Sequence, residues 1–321
     1  MFKNIIGQNR AITLLQQAIS LNRIAPAYLF VGVSGTGRSL AAHRFAQLLL
    51  TQNLSEEKKS LTERKILHHN HPDFRWLEPT YSDRGEIVTV SQAKAKDLKR
   101  KTPPKIRIEQ IRQLIEFINR PPLESERLVV VIEDAHTMAE APANALLKTL
   151  EEPGKATLIL IAPSTESLLS TIVSRCQPIP FQRLSQQDLQ QVLENTGNEE
   201  IFQHPELLKI AQGSPGEAIA AWSQLQSIPQ DLLQQLKQVP HNHLAALKLA
   251  KTITQELDLT TQLWLVDYLQ HYYWQKHYNP SMMKQWEETR KYLLSYVQPR
   301  LVWECTLGWT VRSFCPVKKS L

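Results

Sequence analysis

The sequence predicts an α/β protein, in which a parallel sheet with helices on both faces is followed by an all-helical C-terminal part. Residues 27–31, 128–132 and 158–161 are continuous apolar runs, typical of strands buried on both faces of a parallel sheet. Helical patterns separate these runs, so we expect right-handed crossovers between the strands. A glycine-rich turn follows the first run, and beyond about residue 182 the chain becomes glutamine-rich with helical spacing.

Composition restricts the class of protein without indicating a function. The chain has 321 residues, 42% of them hydrophobic and 21% charged, which is enough for two or three globular domains. Its net charge of +6 permits contact with nucleic acid without requiring it. Cys176, Cys305 and Cys315 form neither a disulfide framework nor a C-x-x-C metal motif, and no apolar run approaches the roughly 20 residues of a membrane span. The sequence therefore predicts a cytoplasmic protein with no metal centre of its own and no membrane contact.

The glycine-rich turn has the spacing of a phosphate-binding loop, G-x-x-x-x-G-K-[ST]. Such a loop directs backbone N–H groups at phosphate oxygens, at the N-terminus of the following helix. Arg38 replaces the lysine of this motif, and its planar guanidinium is bulkier than an ammonium group. We therefore expect ATP to bind weakly or not at all, with impaired hydrolysis; the alternative is an ordinary strand-to-helix turn. The candidate nucleotide-binding residues of the loop are Gly32, Gly35, Thr36, Gly37, Arg38 and Ser39.

Two further candidate residues, Glu133 and Asp134, directly follow the apolar run 128–132. In P-loop proteins, carboxylates at the end of such a strand position Mg²⁺ and the attacking water. The order Glu-Asp reverses the usual Asp-Glu, which makes the carboxylate on the metal side one methylene too long and the other one too short. Mg²⁺ demands near-ideal octahedral geometry, so the sequence predicts a degraded catalytic centre that holds Mg²⁺ only if ATP is bound.

A histidine-rich segment, His68-His-Asn-His-Pro-Asp73, allows two interpretations. Three histidines within four residues suggest metal binding, but neighbouring side chains of an extended segment diverge and no second ligand pair closes a tetrahedral site. The favoured interpretation is a polar entry into a strand over residues 74–77. Before it, residues 51–65 are predicted to be a polar surface connector.

An inserted segment, residues 81–105, is predicted at the edge of the sheet. Its first part, 81–90, has the turn and strand composition of a hairpin. A basic run over residues 94–107 follows, and it is either a solvated charged face or a contact for DNA phosphates. The sequence leaves this choice, and the role of the insertion, open.

Four segments together resemble the clamp-loader branch of the AAA+ ATPases: the phosphate loop, residues 130–134, residues 144–153 (Asn-Ala-Leu-Leu-Lys-Thr-Leu-Glu-Glu-Pro) and residues 174–176 (Ser-Arg-Cys). The resemblance covers about residues 1–220 by motif. It implies an AAA+ base domain over 1–182, a helical lid over 183–227 and a helical collar over 228–321 that holds a ring of five subunits. It also implies a subunit of the DNA polymerase III holoenzyme that helps to load the sliding clamp onto primed DNA. The implied partners are the gamma and tau ATPase subunits, the delta subunit, the beta sliding clamp and primed DNA.

The departures from this family concern ATP turnover. Arg38, Glu133 and Asp134 are altered, and Gly216 stands where active loader ATPases carry a sensing arginine after Gly-Ser. The four-cysteine zinc module of many relatives is also absent, since no cysteine precedes Cys176. The resemblance therefore implies a subunit with little or no ATPase activity of its own. The alternative is an autonomous AAA+ ATPase, similar to the gamma and tau subunits, that hydrolyses ATP itself.

Arg175, in the Ser-Arg-Cys segment, is retained. In the clamp-loader family this arginine reaches across an interface to ATP held by a neighbouring subunit, where such a finger stabilises transition-state charge. The resemblance thus implies a catalytic role in trans for Arg175, and a local salt bridge is the alternative.

Tryptophans are concentrated in the predicted collar. Such aromatic residues serve either a core or an interface, and we expect both here, with base stacking as a further alternative. They include Trp264, Trp274, Trp286, Trp303 and Trp309.

Overall fold

The computed structural model describes residues 2, 4–83, 86–95, 102–295 and 297–314. The chain divides into two compact units, Met1–Val192 and Leu193–Leu321. The predicted three-part division at 182/183 and 227/228 stays a prediction. None of the helices in the described ranges is both long and apolar enough to cross a membrane.

The first unit is an α/β structure. Its elements, with the helix that crosses into the second unit, are α1 Asn9–Ser20, β1 Ala27–Val31, α2 Arg38–Leu50, α3 Glu56–Leu67, β2 Phe74–Leu77, β3 Thr80–Asp83, β4 Glu86–Thr89, α4 Val90–Ala95, α5 Ile108–Ile118, β5 Leu128–Ile132, α6 Glu140–Glu151, β6 Ala156–Ala162, α7 Ser170–Val173, β7 Gln177–Pro180 and α8 Gln186–Asn195.

Five strands form a parallel sheet in the order β2-β5-β6-β1-β7. Successive residues of a strand point to opposite faces, so each strand contributes to two cores. In β1, Leu29 packs in the core under α5 and α6, whereas Phe30 packs in the core under α1 and α2. Every residue of β5 and β6 is buried. The predicted fold class, a parallel sheet with helices on both faces, is confirmed.

The predicted hairpin is present as the antiparallel pair β3 and β4, which forms a separate two-stranded sheet. The turn residues 84 and 85 lie outside the described residues. So do residues 96–101, which carry most of the basic side chains of the run that is either a solvated charged face or a contact for DNA phosphates.

The predicted connector over residues 51–65 is wrong, because α3 occupies most of it. Glu56 and Glu57 lie in the first turn of this helix and Arg64 and Lys65 in the last, which complements the helix dipole at both ends. Ile66 is fully buried and anchors the helix against the sheet. The charge order along the segment was the signal that indicated a helix.

The histidine-rich segment is a structural entry into β2. The Asp73 side chain is fully buried, and its carboxylate accepts backbone N–H bonds from Leu123, Glu124 and Ser125 at 2.7, 2.8 and 2.7 Å. His71 is buried beside it, with Nδ1 accepting the N–H of Asp73 at 3.1 Å. The described ranges contain no group of three His, Cys, Asp or Glu side chains placed to hold a metal ion.

The second unit is helical. After α8 its helices are α9 Pro205–Ala211, α10 Pro215–Gln226, α11 Gln230–Leu236, α12 His243–Glu256, α13 Leu259–His277, α14 Pro280–Leu294 and α15 Pro299–Phe314. Trp286 and Trp303 are almost fully buried and meet edge to face, with ring centroids 6.2 Å apart. The Trp303 indole donates to Gln262 Oε1 at 2.9 Å. These two tryptophans belong to the core, whereas the Trp274 side chain is 40% exposed.

Candidate nucleotide-binding site

The phosphate loop connects β1 to α2 and depends on its glycines. Gly35 and Gly37 have φ values of 73° and 96°, in the left-handed region where side chains other than glycine are strained. Gly32 is required for space, since a Cβ there would lie 2.3 Å from the backbone oxygen of Phe181. The backbone of the loop therefore has the conformation expected of an anion-binding turn.

Gly32→Ala should destabilise the first unit by about 1–3 kcal/mol more than the substitution of a glycine that has open space around it, because the new methyl group must displace backbone rather than a flexible side chain. Gly154→Ala is the matched control, since Gly154 is also a loop glycine but its Cβ would meet nothing within 4 Å among the described residues. That control costs roughly 1–2 kcal/mol for its positive φ alone. Urea denaturation of both variants measures the difference; equal losses would contradict the close approach at Gly32.

The phosphate loop and the acidic pair line one cleft of about 440 Å³. They meet because β1 and β5 are both neighbours of β6 in the sheet, and all three strands end at the same edge. Segments that lie about 95 residues apart in the sequence thus converge, as the sequence predicts. The lining residues are Ser34, Gly35, Gly37, Arg38, Ser39, Leu40, Glu78, Pro79, Val90, Ser91, Glu133 and Asp134.

Arg38 is buried in the wall of this cleft, with 6% of its surface exposed. Its Nη1 is fully buried and has no hydrogen-bond partner among the described residues. Burial lowers the pKa of Arg38, and the nearby carboxylates of Asp134 and Glu133 oppose this shift. Because a buried unpaired donor is costly, Arg38 is suited to an anion that enters the cleft, and the site fits the phosphates of a nucleotide.

Glu133 is engaged at both carboxylate oxygens. Oε1 accepts a hydrogen bond from the Ser39 hydroxyl at 2.8 Å, and Oε2 accepts one from the Trp76 indole N–H at 3.0 Å. In P-loop enzymes, the serine hydroxyl and the strand-end carboxylate together hold Mg²⁺. Here these two groups are bonded to each other and the remaining oxygen is bonded to an indole, so the residues do not fit Mg²⁺ as they stand.

Asp134 lines the cleft in a left-handed backbone conformation, with φ 46° and ψ 48°. Its backbone oxygen accepts both the N–H and the hydroxyl of Thr137 at 2.8 Å, which starts a short 3₁₀ turn over Ala135–Thr137. The strand β5 is thus followed by the acidic pair and then directly by this turn.

Sequence reasoning missed Gln8, which is buried next to the phosphate loop. Its side-chain amide donates to the backbone oxygens of Thr36 at 3.2 Å and Gln182 at 2.7 Å, and its oxygen accepts the N–H of Gln182 at 2.9 Å. Gln8 therefore links the loop to the segment that follows β7. A single glutamine carries no motif signal, because its partners become visible only in the fold.

The structure places Arg175 after α7, paired with Glu151 at the end of α6. Arg175 Nε donates to Glu151 Oε1 at 2.8 Å, Nη2 contacts the same oxygen, and Nη1 donates to the backbone oxygen of Thr171 at 2.9 Å. The side chain is 33% exposed. Arg175 thus has a local partner and does not line the cleft of its own phosphate loop, so its contribution to another chain's site stays a prediction.

Gly216 lies near the start of α10, where the Ser214 hydroxyl caps the helix by accepting the N–H of Glu217 at 3.3 Å. At this position glycine offers no side chain to a nucleotide.

The strand order, the phosphate loop after β1 and the acidic pair after β5 define the AAA+ class of P-loop proteins. Two family models match consecutive parts of the chain. One, described as DNA polymerase III, delta subunit, matches residues 7–185, more than half of the chain. The other, described as cyanobacterial DNA polymerase III delta prime, C-terminal domain, matches residues 187–309. The chain belongs to the DNA polymerase III delta-prime family.

The chain is also similar to individual proteins. DNA polymerase III subunit delta' of Bacillus subtilis is 34% identical over 180 residues, which cover 55% of this chain and 48% of that protein. Subunit tau of Escherichia coli is 29% identical over 229 residues, covering 70% and 32%. A gamma subunit-related protein of Thermotoga maritima has a TM-score of 0.49 and 16% identity, covering 94% of this chain and 99% of that one. The chain spans about half or less of the curated relatives' length.

Proposed function

We propose that this chain is a stationary, cytoplasmic subunit of a bacterial clamp loader, which helps to place the beta sliding clamp on primed DNA together with the gamma or tau ATPase subunits and the delta subunit. The observation that carries the proposal is the consecutive match of residues 7–185 and 187–309 to the two family models. The chain contributes its surfaces and Arg175 to the ring rather than its own ATP hydrolysis.

The state of the phosphate site supports a subunit without turnover. Arg38 replaces the motif lysine and is buried, so its guanidinium lacks the freedom of a lysine to follow a transferring phosphate. Glu133 is bonded to Ser39 and Trp76 and is therefore poorly placed to orient a metal ion or a water. A nucleotide that enters this cleft is a bound ligand and not a substrate.

The location of Arg175 supports donation in trans. Its guanidinium is partly exposed, and the contact that holds it is an exposed ion pair with Glu151, of the kind worth about 0–1 kcal/mol. A neighbour's phosphate can therefore replace Glu151 as the partner at little cost.

The purified chain should hydrolyse ATP no faster than background, because the metal-side carboxylate, the lysine position and the sensing arginine are all altered. Steady-state phosphate release measures this rate, with the reconstituted loader as the positive control. The alternative function is an autonomous ATPase, and the similarity of this chain to subunit tau of E. coli is the reason to test it. Robust turnover by the pure chain, abolished by Gly37→Val, would favour that alternative.

A further inference from the structure

We propose that the nucleotide site of this chain binds a nucleoside diphosphate or triphosphate without a divalent cation, and that Trp76 is the positioning residue that keeps Mg²⁺ out. This inference rests on the non-hydrolysing role proposed above for the same cleft. Nothing in the motif itself indicates it, since Trp76 lies on β2, outside both the phosphate loop and the acidic pair.

Glu133 already has a hydrogen-bond donor at each carboxylate oxygen. Its two oxygens accept hydrogen bonds from a hydroxyl at 2.8 Å and an indole N–H at 3.0 Å, and bonds to an ionised acceptor are stronger than neutral ones. Mg²⁺ loses its hydration shell reluctantly and requires octahedral geometry. A metal ion or its bound water must therefore compete with both bonds for this carboxylate.

Trp76 is held in place by strand pairing and by a stacked ring. The backbone of Trp76 is paired with Val131 in the sheet, two residues before Glu133, so the indole approaches the carboxylate from the neighbouring strand. Its ring stacks on the His43 imidazole, with centroids 4.0 Å apart and planes inclined by 11°. His43 lies one helical turn after Ser39 on α2, so the stack joins the phosphate-loop helix to the sheet.

His43 takes part in this stack as a neutral ring. Burial, with a smaller contribution from nearby His69, lowers the pKa of His43 to about 4. At neutral pH the ring that stacks on Trp76 is therefore uncharged.

Arg38 is the source of positive charge for the phosphates. Arg38 lines the cleft and keeps a buried Nη1 without a partner among the described residues. A guanidinium binds phosphate oxygens through parallel N–H bonds and carries its charge at any metal concentration. Arg38 can thus neutralise a polyphosphate in place of a metal ion.

The test is calorimetric binding of ADP and ATP to the full chain, with Mg²⁺ or with EDTA. The wild-type dissociation constant should be the same in both buffers within a factor of about two. In Trp76→Phe, which keeps a ring on His43 but removes the N–H, binding should become about tenfold tighter with Mg²⁺ than with EDTA, because the Glu133 carboxylate is released from a competing hydrogen bond to a charged group. Mn²⁺ bound together with ADP, counted by electron paramagnetic resonance, should rise in the same variant.

Trp222→Phe is the matched control, because it removes an indole from the second compact unit and should leave the Mg²⁺ response at the wild-type value. Trp76→Leu, which carries no hydrogen-bond donor, replaces the phenylalanine variant if that one melts early. The proposal is overturned if the wild-type chain binds no ADP, if its affinity rises about tenfold with Mg²⁺, or if both Trp76 variants respond like wild type. Clamp loading by a complex assembled with the wild-type chain is measured separately. If that complex loads no clamp, the result counts against the proposed function and not against the metal-free site.

Discussion

Arg175→Ala is expected to slow ATP hydrolysis at one interface of the assembled clamp loader by roughly 10³-fold or more, while this chain stays folded. The guanidinium would stabilise charge on a phosphate held by a neighbouring subunit, so its removal affects the transition state on another chain. Single-turnover hydrolysis in the reconstituted loader resolves that one site, and clamp loading on primed DNA should fall with it. Arg175→Lys should rescue poorly, because an ammonium group lacks the planar fork.

Glu151→Gln is the matched control, since it removes the local partner of Arg175 and keeps the arginine. If the pair is only structural, both variants should lower the thermal midpoint and hydrolysis alike. If Arg175 acts in trans, Glu151→Gln should hydrolyse ATP like wild type, and neither variant should lose more than about 1 kcal/mol of stability. Unchanged hydrolysis in Arg175→Ala would exclude the finger.

The largest stability loss is expected from Asp73→Ala, at about 3–5 kcal/mol. The carboxylate is fully buried and accepts three backbone N–H bonds from residues 123–125, so its removal leaves three donors without an acceptor and frees the turn before β5. Urea denaturation followed by circular dichroism measures the loss. Asp73→Asn should be intermediate, because the amide keeps one acceptor oxygen and turns an NH₂ group towards an N–H.

Glu124→Ala serves as the comparison for Asp73, because it removes a carboxylate from the same turn. Glu124 is 43% exposed and pairs with Lys65 at the surface, so this change should cost no more than about 1 kcal/mol. Similar losses for the two variants would mean that the buried hydrogen bonds of Asp73 do not hold the turn.

Local pattern was sufficient for four of the five strands of the sheet and for the phosphate loop, whereas the edge strand β7 Gln177–Pro180 was not predicted. The runs that became β1, β5 and β6 are apolar throughout because both their faces are covered, and that property is visible in sequence without knowledge of their neighbours. The loop glycines are required by backbone geometry within a few residues, so the motif spacing predicted them. The hairpin of β3 and β4 was also predicted from turn and strand composition, whereas α3 was missed although its charge order is typical of a helix.

Only the tertiary structure decided which groups around the site are hydrogen-bonded to one another. Gln8 contacts Gln182 across 174 positions, Trp76 reaches Glu133 across 57, and Asp73 holds a turn about 50 residues away. These are hydrogen bonds between groups that carry no pattern of their own, and their partners are set by strand order and register. The sequence by itself therefore determined the fold class and the position of the phosphate site. The tertiary structure decided that Glu133, at the position of a metal-binding carboxylate, is hydrogen-bonded to the Trp76 indole and the Ser39 hydroxyl. Folding brings these three side chains together from three separate parts of the chain.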